Sequence, residues 1–175
     1  QFSATRVFGV YEDLLGNEWI LSDNGLGMLT AGQTTPTSYF VDAAEREKKG
    51  GQAFYSCLEY NSEIYFGSDN GRVWCYQKEN GQFQLQNLPA SSRIVSINSV
   101  EGNELIFTTA KDGFFSYQPK TKAIEHFPAS RFPNASIHSV YVDKAAEVWF
   151  EQHIPGAVVH FNPRTRILKQ EKVPV

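Results

Sequence analysis

A glutamate followed by three apolar residues occurs four times along the chain: EWIL at 18–21, EIYF at 63–66, ELIF at 104–107 and EVWF at 147–150. The intervals are 45, 41 and 43 residues, and the glycines that follow in step (Gly25, Gly71, Gly113, Gly156) are 46, 42 and 43 apart. Periods of this length signal a repeat array. Three consecutive apolar positions are incompatible with a strand that is wet on one face, so each of these strands needs cover on both sides. An alternating segment precedes each one: RVFGVYE (6–12), AFYSCLE (53–59), IVSINSV (94–100) and IHSVYVD (137–143). A Gly-containing turn leads to a third strand (LGMLT, RVWCY, FFSY, AVVHF), and a second turn leads to a fourth, such as FQLQNL at 83–88.

Four antiparallel strands repeated every 40 to 45 residues, with the second buried on both faces, predict an all-β fold of propeller blades. Radial stacking gives each sheet two sheet neighbours, whereas a sandwich would leave half of the glutamate-led strand in water. The predicted blades are 1–51, 52–92, 93–135 and 136–175. The outer strands carry Lys120, Lys122, Glu125, Arg164, Arg166, Lys169 and Lys172, charges that discourage pairing with foreign strands. The single helix-like stretch, DAAEREKK at 42–49, reads as a charged, solvated connection between blades. Two fourth strands run into Leu88-Pro89 and Phe127-Pro128, and the chain stops just after Val173-Pro174. A partial propeller cut from a larger ring is therefore expected. Such an arc leaves blades 1 and 4 each with an uncovered face, for which further blades of the same parent chain or a second copy are the expected partners.

Composition narrows the function without naming it. A net charge of −3 with no concentrated basic face gives no electrostatic reason to bind nucleic acid, and RTRILKQEK (164–172) reads as an edge strand. No apolar run approaches the ~18 residues of a membrane helix and no signal-peptide pattern opens the chain, so the segment itself is expected to make no membrane contact. Cys57 and Cys75 fall on the first and third strands of one sheet, roughly 9–10 Å apart, which predicts two free, buried thiols.

No catalytic residue, metal ligand or cofactor is assigned. His126, His138, His153 and His160 offer no metal-ligand spacing. GSDNG (67–71) departs from G-x-S-x-G, and GLG (25–27) lacks the third glycine of a dinucleotide fingerprint. The twin SDNG (22–25 and 68–71) reads as hairpin-turn chemistry, the loop acids Asp13, Asp69, Asp112 and Asp143 as turn formers, and Asn134-Ala135-Ser136 as a chance glycosylation pattern. In a propeller the turns between second and third strands share a rim with the connections between blades. Asp23, Asn24 and Asp112 fall on that rim, as do the ligand-binding candidates Arg93, Arg131, Phe132, Asp69, Asn70, Lys111 and His153. Arg131 beside Phe132 is the pair expected to suit a sugar or a carboxylate.

The segment VFGVYEDLLGNEWILSDNGLGML (7–29) resembles the two-component-regulator propeller repeat, I-x-x-I-x-E-D-x-x-G-x-[LI]-W-[IV]-G-[TS]-x-x-G-L, through Glu12-Asp13, Gly16, Trp19 and Gly25-Leu26. Blade 2 keeps Gly67, Ser68 and Gly71, and blade 4 keeps Trp149 and Gly156. The resemblance implies a periplasmic sensor region of a Bacteroidetes hybrid two-component system, upstream of a membrane helix, histidine kinase, receiver and often an AraC-type domain, and responding to an oligosaccharide. The kinase motifs are missing from this segment, which would then sense without catalysing. Two other readings compete: a scaffold for protein interaction or dimerisation, and a carbohydrate-active hydrolase or lyase propeller drawing acids from different blades.

Overall fold

A computed structural model describes residues 2, 4–40, 53–134, 136–152 and 157–172. Blade 1 comprises β1 (Val7–Glu12), β2 (Glu18–Ser22), β3 (Gly25–Leu29) and β4 (Thr37–Tyr39). Blade 2 comprises β5 (Phe54–Tyr60), β6 (Glu63–Ser68), β7 (Val73–Gln77) and β8 (Gln82–Gln86). Blade 3 holds β9 (Ile94–Val100), β10 (Glu104–Thr109), β11 (Gly113–Gln118) and β12 (Ala123–Pro128), followed by a 3-10 turn at Ala129–Arg131. Blade 4 holds β13 (Ser139–Val142), β14 (Val148–Glu151), β15 (Ala157–Asn162) and β16 (Ile167–Lys172). Each blade is a four-stranded antiparallel meander in chain order, so the all-β, four-sheet propeller expectation holds. The predicted charged connection at 42–49 lies outside the described residues.

Alternation along the second strands shows why they are apolar throughout. In β6, Ile64 and Phe66 join Trp19, Leu21, Leu26 and Phe54 in the core between blades 1 and 2. Tyr65, between them in sequence, points the other way to meet Leu105, Phe107 and Phe115 of blade 3. In β10, Leu105 and Phe107 face blade 2, while Ile106 packs with Val148, Phe150 and Phe161 of blade 4. Every position of β10 is buried. The strands of the two end blades differ in one respect: Ile20 and Trp149, on the faces without a neighbour, are only half-buried.

Close approach between blades depends on Gly67 at the end of β6. A Cβ built there would lie 2.4 Å from Ser56 Oγ and 2.6 Å from Ile94 Cβ of blade 3. Gly113 serves a different purpose, since its φ of +88° and the 2.0 Å from its built Cβ to the Phe127 carbonyl oxygen exclude any side chain at that turn.

Cys57 and Cys75 are both free thiols, on strands separated by β6. Cys57 faces the core between blades 1 and 2 and Cys75 the core between blades 2 and 3, so the two point away from each other. One expectation is corrected: Cys75 is buried, but Cys57 is only half-buried. It sits on β5, the first strand of its blade, next to the end blade, which covers it incompletely.

First strands of successive blades touch, β1 with β5, β5 with β9 and β9 with β13, which places them toward the centre of the arc. The rim residues at the starts of these strands therefore converge.

Candidate ligand site on the axial rim

The acids that open the turns are structural before anything else. Asp13 accepts hydrogen bonds from the backbone amides of Leu15 and Asn17, both at 2.9 Å, through Oδ1, and from the Trp19 indole at 3.0 Å through Oδ2. Asp143 repeats this in blade 4, accepting from the amides of Ala145 (2.8 Å) and Glu147 (2.9 Å) and from the Trp149 indole (2.9 Å). Burial works to raise the pKa of Asp13, but the bonds from Asn17 and Trp19 prevail and hold it below the ordinary carboxylate range. At Asp143, the Trp149 indole leads the groups that do the same. The serines of SDNG are also turn staples: Ser22 Oγ donates to the Gly25 carbonyl at 2.9 Å, and Ser68 Oγ to that of Arg72 at 2.9 Å.

On the rim where the connections between blades enter, blade 3 is fastened by Asp112. Its carboxylate accepts from the amides of Ser91 and Ser92, both at 2.8 Å, and from the Ser92 hydroxyl at 2.9 Å. Burial pushes its pKa up, but the Ser91 and Ser92 donors outweigh burial and the net displacement is downward. The Ser92 hydroxyl oxygen accepts from the Lys111 amide at 3.0 Å, and the Arg93 carbonyl accepts from Ala110 N at 2.8 Å. These bonds tie the entry of β9 to the turn after β10. Arg93 and Lys111 are thereby carried on a braced piece of backbone.

Between them and the neighbouring blades opens a hollow of ≈ 690 Å³, lined by Tyr55, Asp69, Ser92, Arg93, Lys111 and His138 among others. The Arg93 guanidinium lies over the Tyr55 ring, 4.1 Å from its centroid. Tyr55 in turn stacks on Phe8 at 4.2 Å, with 29° between the ring planes. The row Phe8, Tyr55, Arg93 thus crosses three blades. It offers an apolar plane ending in a cation, over an open concavity.

Of the sequence candidates, Arg93, Asp69 and Lys111 meet in this hollow. Asn70 stands in the adjoining turn, its side-chain amide 2.6 Å from Ser68 Oγ. Arg131 and Phe132 are elsewhere: Phe132 is buried between blades 3 and 4, edge-on to Phe150 at 5.2 Å. Arg131 is exposed, 5.1 Å over the Phe127 ring, beside a separate hollow that also borders Leu168 and Lys169 of β16. The apolar side chain turns inward while the charged one stays in water. His153 lies outside the described residues.

Tyr55 and His138 were not among the candidates. A partial signal was positional: Phe8 and Tyr55 are both the third residue of the alternating segments RVFGVYE and AFYSCLE, and His138 is the second residue of IHSVYVD. Among the described residues, no group of three or more His, Cys, Asp and Glu could hold a metal ion, and no helix is long and apolar enough to cross a membrane.

No protein-family model matches the chain, and no curated protein does. Solved structures do. The extracellular domain of BT4673 from B. thetaiotaomicron, described as a one-component system, superposes with a TM-score of 0.77 at 16% identity, over 99% of this chain and 25% of that one. The extracellular domain of the hybrid two-component system BT3049 from the same organism gives 0.76 at 15% identity, over 97% of this chain and 25% of that one. Virginiamycin B lyase from Staphylococcus aureus gives 0.76 at 18% identity, over 97% and 56%. At such identities the likeness shows a propeller fold alone. The chain spans a quarter to about half the length of these proteins.

Proposed function

We propose that the chain is a ligand-sensing, non-catalytic propeller segment of the extracytoplasmic region of a hybrid two-component sensor histidine kinase and response regulator, periplasmic in location and responding to an oligosaccharide. The observation that carries this is the axial hollow, where Tyr55, stacked on Phe8 outside it, and polar side chains from three blades line one open concavity. Convergent polar groups beside a flat apolar surface are what a sugar's alternating hydroxyl and C–H faces require. The blade 1 repeat and the likeness to two bacterial sensor ectodomains point the same way. Further blades of the parent chain would complete the ring. Isothermal titration of the chain against a panel of glycan fragments tests the reading, with binding of at least one fragment expected and silence across the panel against it.

A second reading rests on the outer face of blade 4. Tyr141, Trp149 and His160 lie directly across from one another on β13, β14 and β15. Tyr141 is 64% exposed, and the Trp149 and His160 rings stack at 4.5 Å. An aromatic face of this kind suits a homodimer or a scaffold for protein interaction. Light scattering separates the readings, because a scaffold self-associates in a concentration-dependent way that Trp149→Glu abolishes. The lyase neighbour keeps an enzyme reading alive, and assaying the same glycan panel for cleavage products decides it.

A further inference from the structure

We propose that the axial hollow is an anion subsite, in which Arg93 and Lys111 receive the acidic group of a uronate-bearing oligosaccharide. The inference rests on the ligand-sensing reading and names the class of ligand for the same site. The Arg93 guanidinium is held 4.1 Å over the centroid of the Tyr55 ring, and a guanidinium can bind a carboxylate through two parallel N–H hydrogen bonds.

Several cations of the described residues sit against carboxylates of the chain itself. Arg166 engages Glu104 at 2.6 Å and also Glu125, Arg164 donates to Glu101 at 2.7 Å, and Lys78 pairs with Glu59. Among the described residues, Arg93 and Lys111 make no ion pair. The nearest acid on their own turn, Asp112, is saturated by the Ser91 and Ser92 donors. Two cations are therefore held on one braced rim, exposed, with no carboxylate of their own. A neutral ligand that covered them would return hydrogen bonds but no opposite charge, whereas an anion compensates both.

Asp69, the acidic residue of the lining, belongs to the turn of blade 2 and Arg93 and Lys111 to blade 3. This polarity orients the ligand, with its acid group toward blade 3 and away from the Asp69 carboxylate. Phe8, 37% exposed at the other end of the row, offers the flat surface for a neighbouring sugar ring.

The test is titration of the chain with trigalacturonate, with the neutral galactotriose and with a sulfated disaccharide, at low and high salt. Trigalacturonate is expected to bind more tightly than galactotriose and to weaken with salt. Arg93→Gln is expected to cost about tenfold or more in affinity and Lys111→Gln less, Arg93→Lys recovering only part because it lacks the planar fork. Arg93 is exposed, so the variants are expected to keep the parent's melting temperature, which confirms that the loss is one of binding. Binding of the sulfated sugar at this site identifies sulfate as a second source of the same anionic chemistry and supports the subsite. Equal binding of acidic and neutral sugars, or acidic binding untouched by Arg93→Gln, overturns the inference and leaves oligosaccharide sensing standing. Failure of all three sugars to bind overturns the inference, and silence across the wider glycan panel overturns the sensing reading as well.

Discussion

Asp13 shows how one side chain can be read from sequence and still withhold its main task. Its place before Gly16 marks it as a turn former, and the turn bonds to Leu15 and Asn17 are present. The bond to the Trp19 indole reaches across the blade's first hairpin and ties the turn to the inter-blade core. The spacing of five residues between aspartate and tryptophan, repeated at Asp143 and Trp149, carried that information, but only coordinates show the indole turned back to the carboxylate. Asp13→Asn places an amide N–H against a donor in a buried site, and a loss of about 2 kcal/mol is expected. Thermal unfolding should register it as a fall of roughly 4–8 °C.

Acid should act on the same residues. The pKa values of Asp13, Asp112 and Asp143 are all held below their ordinary value in the folded chain. Each then contributes stability that is fully present above the unfolded carboxylate value, about 3.9, and is lost as pH falls through the folded value. Urea unfolding followed downward from pH 7 is expected to give a flat stability down to about pH 4 and a steep fall below it. The steep part should be shallower in Asp112→Asn. A decline that begins near neutrality in the parent would contradict this assignment.

At the level of strands, the glutamate-led apolar words were sufficient to locate all four second strands, and the structure adds which residue faces which neighbour. Glu147 marks a small departure: it precedes β14, because its backbone closes the turn with Asp143. The third strands and their glycines were equally legible, since a Cβ at Gly113 has no room. Gly67 was visible as part of the repeat pattern, yet its role between blades was not, because sequence does not show how near Ile94 comes. Gly67→Ala should force β6 and β9 apart and destabilise the chain by about 1–3 kcal/mol, measurable in a denaturant titration. An unchanged midpoint would mean that the two blades are not in close contact there.

The loop at 128–136 was misleading for a physical reason. An Arg-Phe pair in a Pro- and Asn-rich stretch looks like a surface grip for a ligand, but the 3-10 turn at Ala129–Arg131 rotates Phe132 into the core beside Phe114. Rim position alone cannot tell an inward side chain from an outward one. That Arg93, Lys111 and Asp69 would lie near one another was legible because rim geometry brings turns and connections of adjacent blades together. Tyr55 and His138 were missed because first-strand residues read as core.

Across the molecule, the two thiols report on the packing of blades. Burial pushes the pKa of both Cys57 and Cys75 up to about 12, so little thiolate forms near neutral pH. Iodoacetamide at pH 8 is expected to label the folded chain slowly, Cys57 ahead of the fully buried Cys75, and both quickly in denaturant. The same arrangement of sheets carries the functional claim, that the starts of the first strands and the turn after β10 gather an aromatic row and two exposed cations at one end of the arc. Hydrogen exchange read by mass spectrometry, with and without trigalacturonate, tests it most directly. Added protection confined to the segments around Tyr55, Arg93 and Lys111 is the predicted result, and protection instead around Asn61, Lys78 and Lys120 on the opposite rim would contradict it.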